Sequence, residues 1–504
     1  MSSHYKAFLV VITLAVIAFW FARPVFINFM ADEDFVRRRN LWLGLTASAF
    51  LVPNFWVHMI FAAILVYRTA RKDSNPVALY LLLLLAIPPL EQPIPGFGLV
   101  NYIFNLSHIR LLCLVILIPA ALKIYSGSME PLAHPQKTAW LAPDIFLIAY
   151  GCFQVFLYVP YSSATDTLRS LLLMVLDLLL PYFVLSRFCV TKEKIIEAMA
   201  AFCLSAFILA PLAVVEILKG WLLYDGIAAY WNADTNVGGY LLRGDSVRAL
   251  ASSGNSIVFG NFFAVAIGTW LYLTNRIKIK HVWLGSLIIA GGLISAFSRG
   301  PWVGAVVCVF IYYAMGPSPA SKLLKLIGIT LFSTLVVILS PYGDSVIGVL
   351  PFVGTVDAGN VTYRQAINER AILIIGLNPF FGSPYFTRYM EDLRQGQGII
   401  DLLNVYLSIG MAYGLITLSA FVLFFATSIQ RGLNLVSKYK KIDTDLAMLG
   451  AGLISALSGT LIIIYTASNY LSIPYIYVAI AALLVAFSRL SLDSVADRPT
   501  IAYR

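Results

Sequence analysis

A guanidinium interrupts a long apolar stretch where the chain runs GGLISAFSRGPWVGAVVCVFIYYAMG, with Arg299 between Ser298 and Gly300. Burying that charge in hydrocarbon costs at least about 2.5 kcal/mol, so Arg299 must face a polar cavity, an anionic partner or a membrane boundary. Ser298 and Gly300 keep the turn small, Pro301 suits the first position of a restarting helix, and Trp302 suits a half-wet interface. Two more arginines flank apolar segments, Arg248 in RGDSVRALASSGNSIVFG and Arg364 in TYRQAINERAILIIGLNPF. Such permanently ionised, planar groups suit an anionic partner, which they hold through paired hydrogen bonds. Each also has a plain structural alternative: snorkelling for Arg299, an interfacial anchor for Arg248, and a surface ion pair with Glu369 or Asp357 for Arg364.

The elements that must position these residues are membrane segments. Of the 504 residues 60% are hydrophobic and only 12% charged, which excludes an ordinary soluble globule. Mean hydropathy is +0.83. Apolar runs of roughly 15 to 25 residues recur throughout, each able to cross a hydrocarbon core of about 30 Å. About fourteen candidates (12–14) follow, and the fold class expected is an all-α polytopic membrane protein. The run from Ala7 through Phe21 has no small-x-small cleavage site and reads as a retained first helix. Cys113, Cys152, Cys189, Cys203 and Cys308 all lie in or beside apolar segments, so neither a disulfide framework nor a zinc site is expected.

The net charge of +10 is dispersed over short loops, which argues for membrane topology and against nucleic acid. With the N-terminus in the cytoplasm, inside loops receive Arg68, Arg71 and Lys72; Arg187, Lys192 and Lys194; Arg276, Lys278 and Lys280; Lys322 and Lys325; and Arg431 to Lys441. Arg489, Arg498 and Arg504 then end the chain inside as well, while Asp32 to Arg39 falls outside. Two outside segments are long, at about 219–249 and 341–402. The second opens on Gly343, Gly348, Gly354 and Gly359 and contains a helix-patterned stretch that puts Arg364, Ala371 and Ile375 on successive turns, stopped by Asn378 and Pro379. No internal repeat of the kind many transporters carry is evident.

Three pieces stand in order: LISAFSRGPWVGA, then YRQAINERAILIIGLNPFFGSPYF, then NVYLSIGMAYGLI. Over roughly residues 240–430 this resembles the bacterial O-antigen ligase and O-antigen polymerase superfamily. Its members carry an SRG-type turn, an outer-loop helix with YR and a later P-x-x-G, and an N-x-x-L helix ending in glycine. The resemblance implies a glycosyltransferase-C-like fold with a large periplasmic loop, divided into N-terminal helices (1–240), a core (241–430, loop 341–402) and C-terminal helices with a cytoplasmic tail (431–504). It implies glycan transfer from an undecaprenyl diphosphate carrier at the outer face of the bacterial inner membrane, with both termini cytoplasmic. Arg299 and Arg364, helped by Arg248, would hold the diphosphate, with Ser298, Tyr363 and Asn404 on the substrate side.

Ligases of this superfamily place a histidine immediately before the asparagine of the last motif. Here that position is Leu403, and none of His4, His58, His108, His134 and His281 lies in the outer loop. The departure favours a polymerase and leaves Asp401 and Glu369 as candidates for the general base. Asp32-Glu33-Asp34 is similar to the acidic metal motif of metal-dependent glycosyltransferase-C enzymes. Arg37, Arg38 and Arg39 follow at once, and neither metal nor cofactor is expected. The reading is a polymerase for O-antigen or exopolysaccharide; a ligase acting on lipid A-core and a lipid-linked oligosaccharide flippase are the alternatives. Expected partners are the lipid-linked oligosaccharides, membrane lipids, a chain-length regulator and a flippase.

Overall fold

The computed structural model describes residues 3–98, 100–126, 140–233, 242–243, 246–338, 358–394, 400–469 and 471–490. The glycine-rich opening of the long loop lies outside them from 341 to 357. The described residues are mostly helical, at 78%. Among the described residues eight helices are long and apolar enough to cross a membrane, and four shorter apolar ones, Phe55–Ala70, Ile279–Ser295, Arg299–Met315 and Ile473–Ser488, pack among them. This is the pattern of a multi-pass membrane protein.

The most buried of the eight long helices, Lys192–Lys219 and Thr444–Ile464, lie at the centre. Between helices in lipid the driving force is close packing, which small residues permit. Arg299–Met315 meets Thr444–Ile464 so closely that a Cβ on Gly459 would lie 2.7 Å from the Gly304 carbonyl oxygen. One continuous core runs from Ala7 to Leu490, and a separate small one joins Ile367, Ala371 and Ile374 to Met390 and Met411.

Lys192–Lys219 serves as a ruler, its 28 residues rising about 42 Å. Near its first turn Glu197 bonds Arg38 at 2.7 Å, and Arg38, wholly buried, also bonds Asp73 at 2.7 Å. Asp144 binds both Arg187 (3.1 Å) and Arg489 (2.9 Å), while Lys192 reaches Asp443 and Asp445, the latter shared with Arg276. These pairs define a basic end of the bundle. At the opposite end Glu216 accepts hydrogen bonds from the backbone N–H groups of Leu223, Leu250 and Ala251. There His4 bonds the Phe50 carbonyl (2.7 Å) and packs on Tyr230, and Trp231 donates to the Val52 carbonyl. A hairpin of strands Glu91–Pro95 and Tyr102–Ser107 covers this end, tied by Gln92 to the Trp231 carbonyl.

This geometry corrects the loop assignment. Residues 32–39 and 68–73, expected on opposite sides, share the basic end, because Asp32–Leu51 and Phe55–Ala70 form a hairpin that runs away from that end and back. His4 and Arg489 consequently stand at opposite ends of the bundle, not at one. The acidic run opens the helix Asp32–Leu51, where its charge complements the helix dipole. Asp32 pairs with Arg23, and Glu33 and Asp34 pair with Arg37. Asp177, in a membrane helix, is clamped by Arg110 at 2.9 Å, and Arg110 also holds Glu91. Arg169 instead lies over the Tyr102 ring and donates to hairpin carbonyls.

Candidate functional site

At the end of the bundle away from the basic pairs, a small open cleft is lined by three separate stretches. The helix Ala358–Leu377 contributes Arg364, Ile367 and Asn368; residues 401–404 contribute Asp401, Leu402, Leu403 and Asn404; and the segment after Thr444–Ile464 contributes Tyr465 and Thr466.

Helical spacing sets the first wall. Ile367, Ala371 and Ile374 are buried on one face, which turns Arg364 and Asn368 to the cleft. The helix stops at Leu377, as Asn378-Pro379 dictates, and Asn378 caps the following turn by donating to the Gly382 carbonyl at 2.7 Å. That turn locks onto the long helix Val405–Tyr439 where it breaks at Gly414. Gly382 (φ +67) and Gly414 (φ +74) pack backbone to backbone, the Leu415 N–H donates to the Pro379 carbonyl at 2.7 Å, and the Ser383 N–H donates to the Met411 carbonyl at 2.8 Å. A Cβ at either glycine would run into the other strand of backbone.

The second wall is held by side chains. Ser468 donates to Asp401 Oδ1 at 2.6 Å and accepts from the Leu403 N–H at 3.3 Å, while the Asp401 N–H donates to the Tyr363 hydroxyl at 3.1 Å. Leu403 takes a left-handed backbone (φ +47), a conformation that costs a non-glycine residue about 1–2 kcal/mol. Asn404 caps Val405–Tyr439, its Oδ1 accepting from the Tyr406 and Leu407 N–H groups.

The remaining arginines form a neighbouring group. Arg299 opens the helix Arg299–Met315 directly after buried Ser298, and Phe297 before them is also left-handed (φ +43). A Cβ on Gly300 would stand 2.5 Å from the Thr466 hydroxyl, so this turn abuts the cleft wall. Arg248 Nε donates to the Ala296 carbonyl at 3.3 Å and the Ala249 N–H to the Ser295 carbonyl, which lays the Arg248 segment on the same turn.

The expected residues thus sort into two adjoining clusters. Arg364, Asp401 and Asn404 line the cleft with Tyr363 behind Asp401; Arg248, Ser298 and Arg299 gather at the turn beside Thr466. Glu369 is exposed on its helix and outside the cleft lining. Arg370, one residue on, pairs with Asp392 and not with the site. Sequence reasoning missed Asn368, Tyr465, Thr466 and Ser468; the polar run Thr466-Ala467-Ser468-Asn469 between two apolar helices was the signal available. Among the described residues no group of three His, Cys, Asp or Glu side chains is placed to hold a metal. No family model matches the chain, and no curated protein matches it.

Proposed function

We propose that this protein is a membrane glycosyltransferase that joins undecaprenyl-diphosphate-linked oligosaccharide repeats into a surface polysaccharide. In this reading the fold is glycosyltransferase-C-like with an odd number of transmembrane crossings, the basic end faces the cytoplasm, and the cleft opens to the periplasm. The observation that carries the reading is the convergence of Arg364 and Asn404, from two of the three sequence pieces that prompted it, in one cleft with Asp401, with the Arg299 turn against its wall.

The chemistry follows from the residue types. A hydroxyl at the non-reducing end of the acceptor attacks the anomeric carbon of the donor and forms the new C–O bond. Its proton passes to the Asp401 carboxylate, which the Ser468 hydroxyl orients at 2.6 Å. The bond from the anomeric carbon to the phosphate oxygen breaks, and the diphosphate leaves with the electron pair. Arg364, Arg299 and Arg248 stabilise that growing charge. Glu369, outside the cleft, has no part in this scheme. Leu403 stands in the cleft wall at the position where the resembled ligases place histidine, which removes the base that the ligase reading needs.

Purified protein incubated with lipid-linked repeats in detergent tests the proposal, because an enzyme lengthens the glycan there and a flippase does not. Alanine at Arg364 or Arg299 is expected to lower the rate on the order of a hundredfold. Lysine at Arg364 is expected to restore little, since it loses the paired geometry. Unchanged glycan in the wild-type incubation would sink the proposal. Full-length polymer stranded on the carrier in a deletion strain would replace it with the ligase reading.

A further inference from the structure

The far half of the cleft helix carries an apolar surface that no described residue covers. Ile372, Leu373 and Leu377, with Phe380 and Phe381 in the turn that follows, are each 54–70% exposed. The near half of the same helix carries Arg364, Gln365, Asn368 and Glu369. Polarity thus changes along the helix axis and not only around it. A segment standing wholly in water would gain nothing from that change, and five clustered large apolar side chains are more than a soluble surface carries without purpose.

We infer that this half-helix and its Phe380-Phe381 turn are immersed in the bilayer, with acyl chains as the occupant of the exposed face. Continuity supplies the argument. The turn is bonded to the long membrane helix at its break, where the Leu415 N–H donates to the Pro379 carbonyl at 2.7 Å. Leu415 is itself exposed, and the exposed surface continues down that helix through Val422 and Leu423. The patch extends a surface that in a multi-pass protein faces lipid. Tyr385 sits beside it, hydrogen-bonded to the Tyr161 carbonyl and stacked under the Arg388 guanidinium, an arrangement suited to the headgroup level. Non-helical backbone survives at such a depth only when its polar groups are paired within the protein. Here the Gly382 N–H bonds the Asn378 carbonyl and the Ser383 N–H bonds that of Met411.

A consequence follows for the cleft. Eight residues separate Arg364 from Ile372, so a guanidinium of the cleft stands about 12 Å along the helix axis from the first of these apolar side chains. An amphiphile with an anionic head could reach it without leaving the bilayer. The inference concerns the membrane contact itself and stands whether or not the glycosyltransferase reading does.

Single cysteines at Leu377, Phe380 and Gln365, made on a Cys152→Ser background because Cys152 is the exposed native cysteine, would carry a bimane dye. The intact protein would be reconstituted in bilayers of phospholipid brominated on its acyl chains. Strong quenching at Leu377 and Phe380 with none at Gln365 is the expected result. Absence of acyl-chain quenching at both apolar positions overturns the inference, whether the dyes then lie in water or under a second copy of the chain. Should Leu377→Cys fail to fold, Phe381→Cys reads the same surface.

Discussion

Ser468 donates a 2.6 Å hydrogen bond to Asp401 across the wall of the cleft, joining two stretches 67 residues apart. The same hydroxyl accepts from the Leu403 N–H, so one small side chain fixes both the carboxylate and the strained residue before Asn404. Asp401→Asn is expected to reduce glycan lengthening about a hundredfold, the scale of a lost general base. Ser468→Ala should cost less, about tenfold, since it removes orientation but not the base, and Ser468→Thr should recover most of it. Rates from purified variants with lipid-linked repeats check the order. Ser468→Ala more damaging than Asp401→Asn would show that the serine serves something else.

The Gly382–Gly414 contact makes a stability prediction that does not depend on the reaction. Both residues have positive φ and no room for a Cβ. Alanine at either should cost at least about 1–2 kcal/mol from the backbone alone, with the clash in addition. Thermal unfolding in detergent should show a lower midpoint for Gly382→Ala and Gly414→Ala, whereas Gly291→Ala, with open space around it, should be close to neutral. Similar midpoints for all three would contradict the packing described.

How much of this was legible in the sequence depended on the kind of signal. Arg299 and Arg364 announce themselves because a charge beside apolar sequence is costly and needs a reason. The stop at Leu377 follows from Asn378-Pro379, and helical spacing alone turned Arg364 and Ala371 to neighbouring positions. The hydroxyls of Thr466 and Ser468 carry no charge to mark them, only a short polar run between two apolar helices, and only the fold returns them to Asp401. Loop charge misled at Asp32 to Arg39. Arg38 is neutralised in the interior by Asp73 and Glu197, and the polar start of Asp32–Leu51 hides a hairpin from a reading based on apolar runs.

Arg38 is itself a sensitive point. Its side chain is wholly buried and contacts two carboxylates, from residues 35 and 159 positions further along the chain. Arg38→Ala would leave Asp73 and Glu197 facing each other without a counter-charge, a loss of about 3–5 kcal/mol by the usual cost of breaking a buried pair. Expression and unfolding midpoint should both fall. Arg23→Ala, which breaks the half-exposed pair with Asp32, should change little. A mild phenotype for Arg38→Ala would mean that water reaches the cluster.

The last prediction concerns sidedness. The basic end gathers Arg38, Arg71, Lys72, Arg187, Lys192, Lys194, Arg276 and Arg489, and short loops rich in lysine and arginine stay in the cytoplasm. His4 and the cleft stand at the other end, so the amino terminus should face outward together with Arg364. On the Cys152→Ser background, Ser3→Cys and Gln365→Cys should react with a membrane-impermeant thiol reagent in intact spheroplasts. Ser437→Cys, near the basic end of Val405–Tyr439, should react only after lysis. Labelling of Gln365 but not Ser3, with Ser437 still protected until lysis, would invert the N-terminal hairpin relative to the rest of the bundle. That result is incompatible with the bond from His4 to Phe50 and the pairing of Arg38 with both Asp73 and Glu197, so a single labelling experiment tests the arrangement on which the cleft's orientation depends.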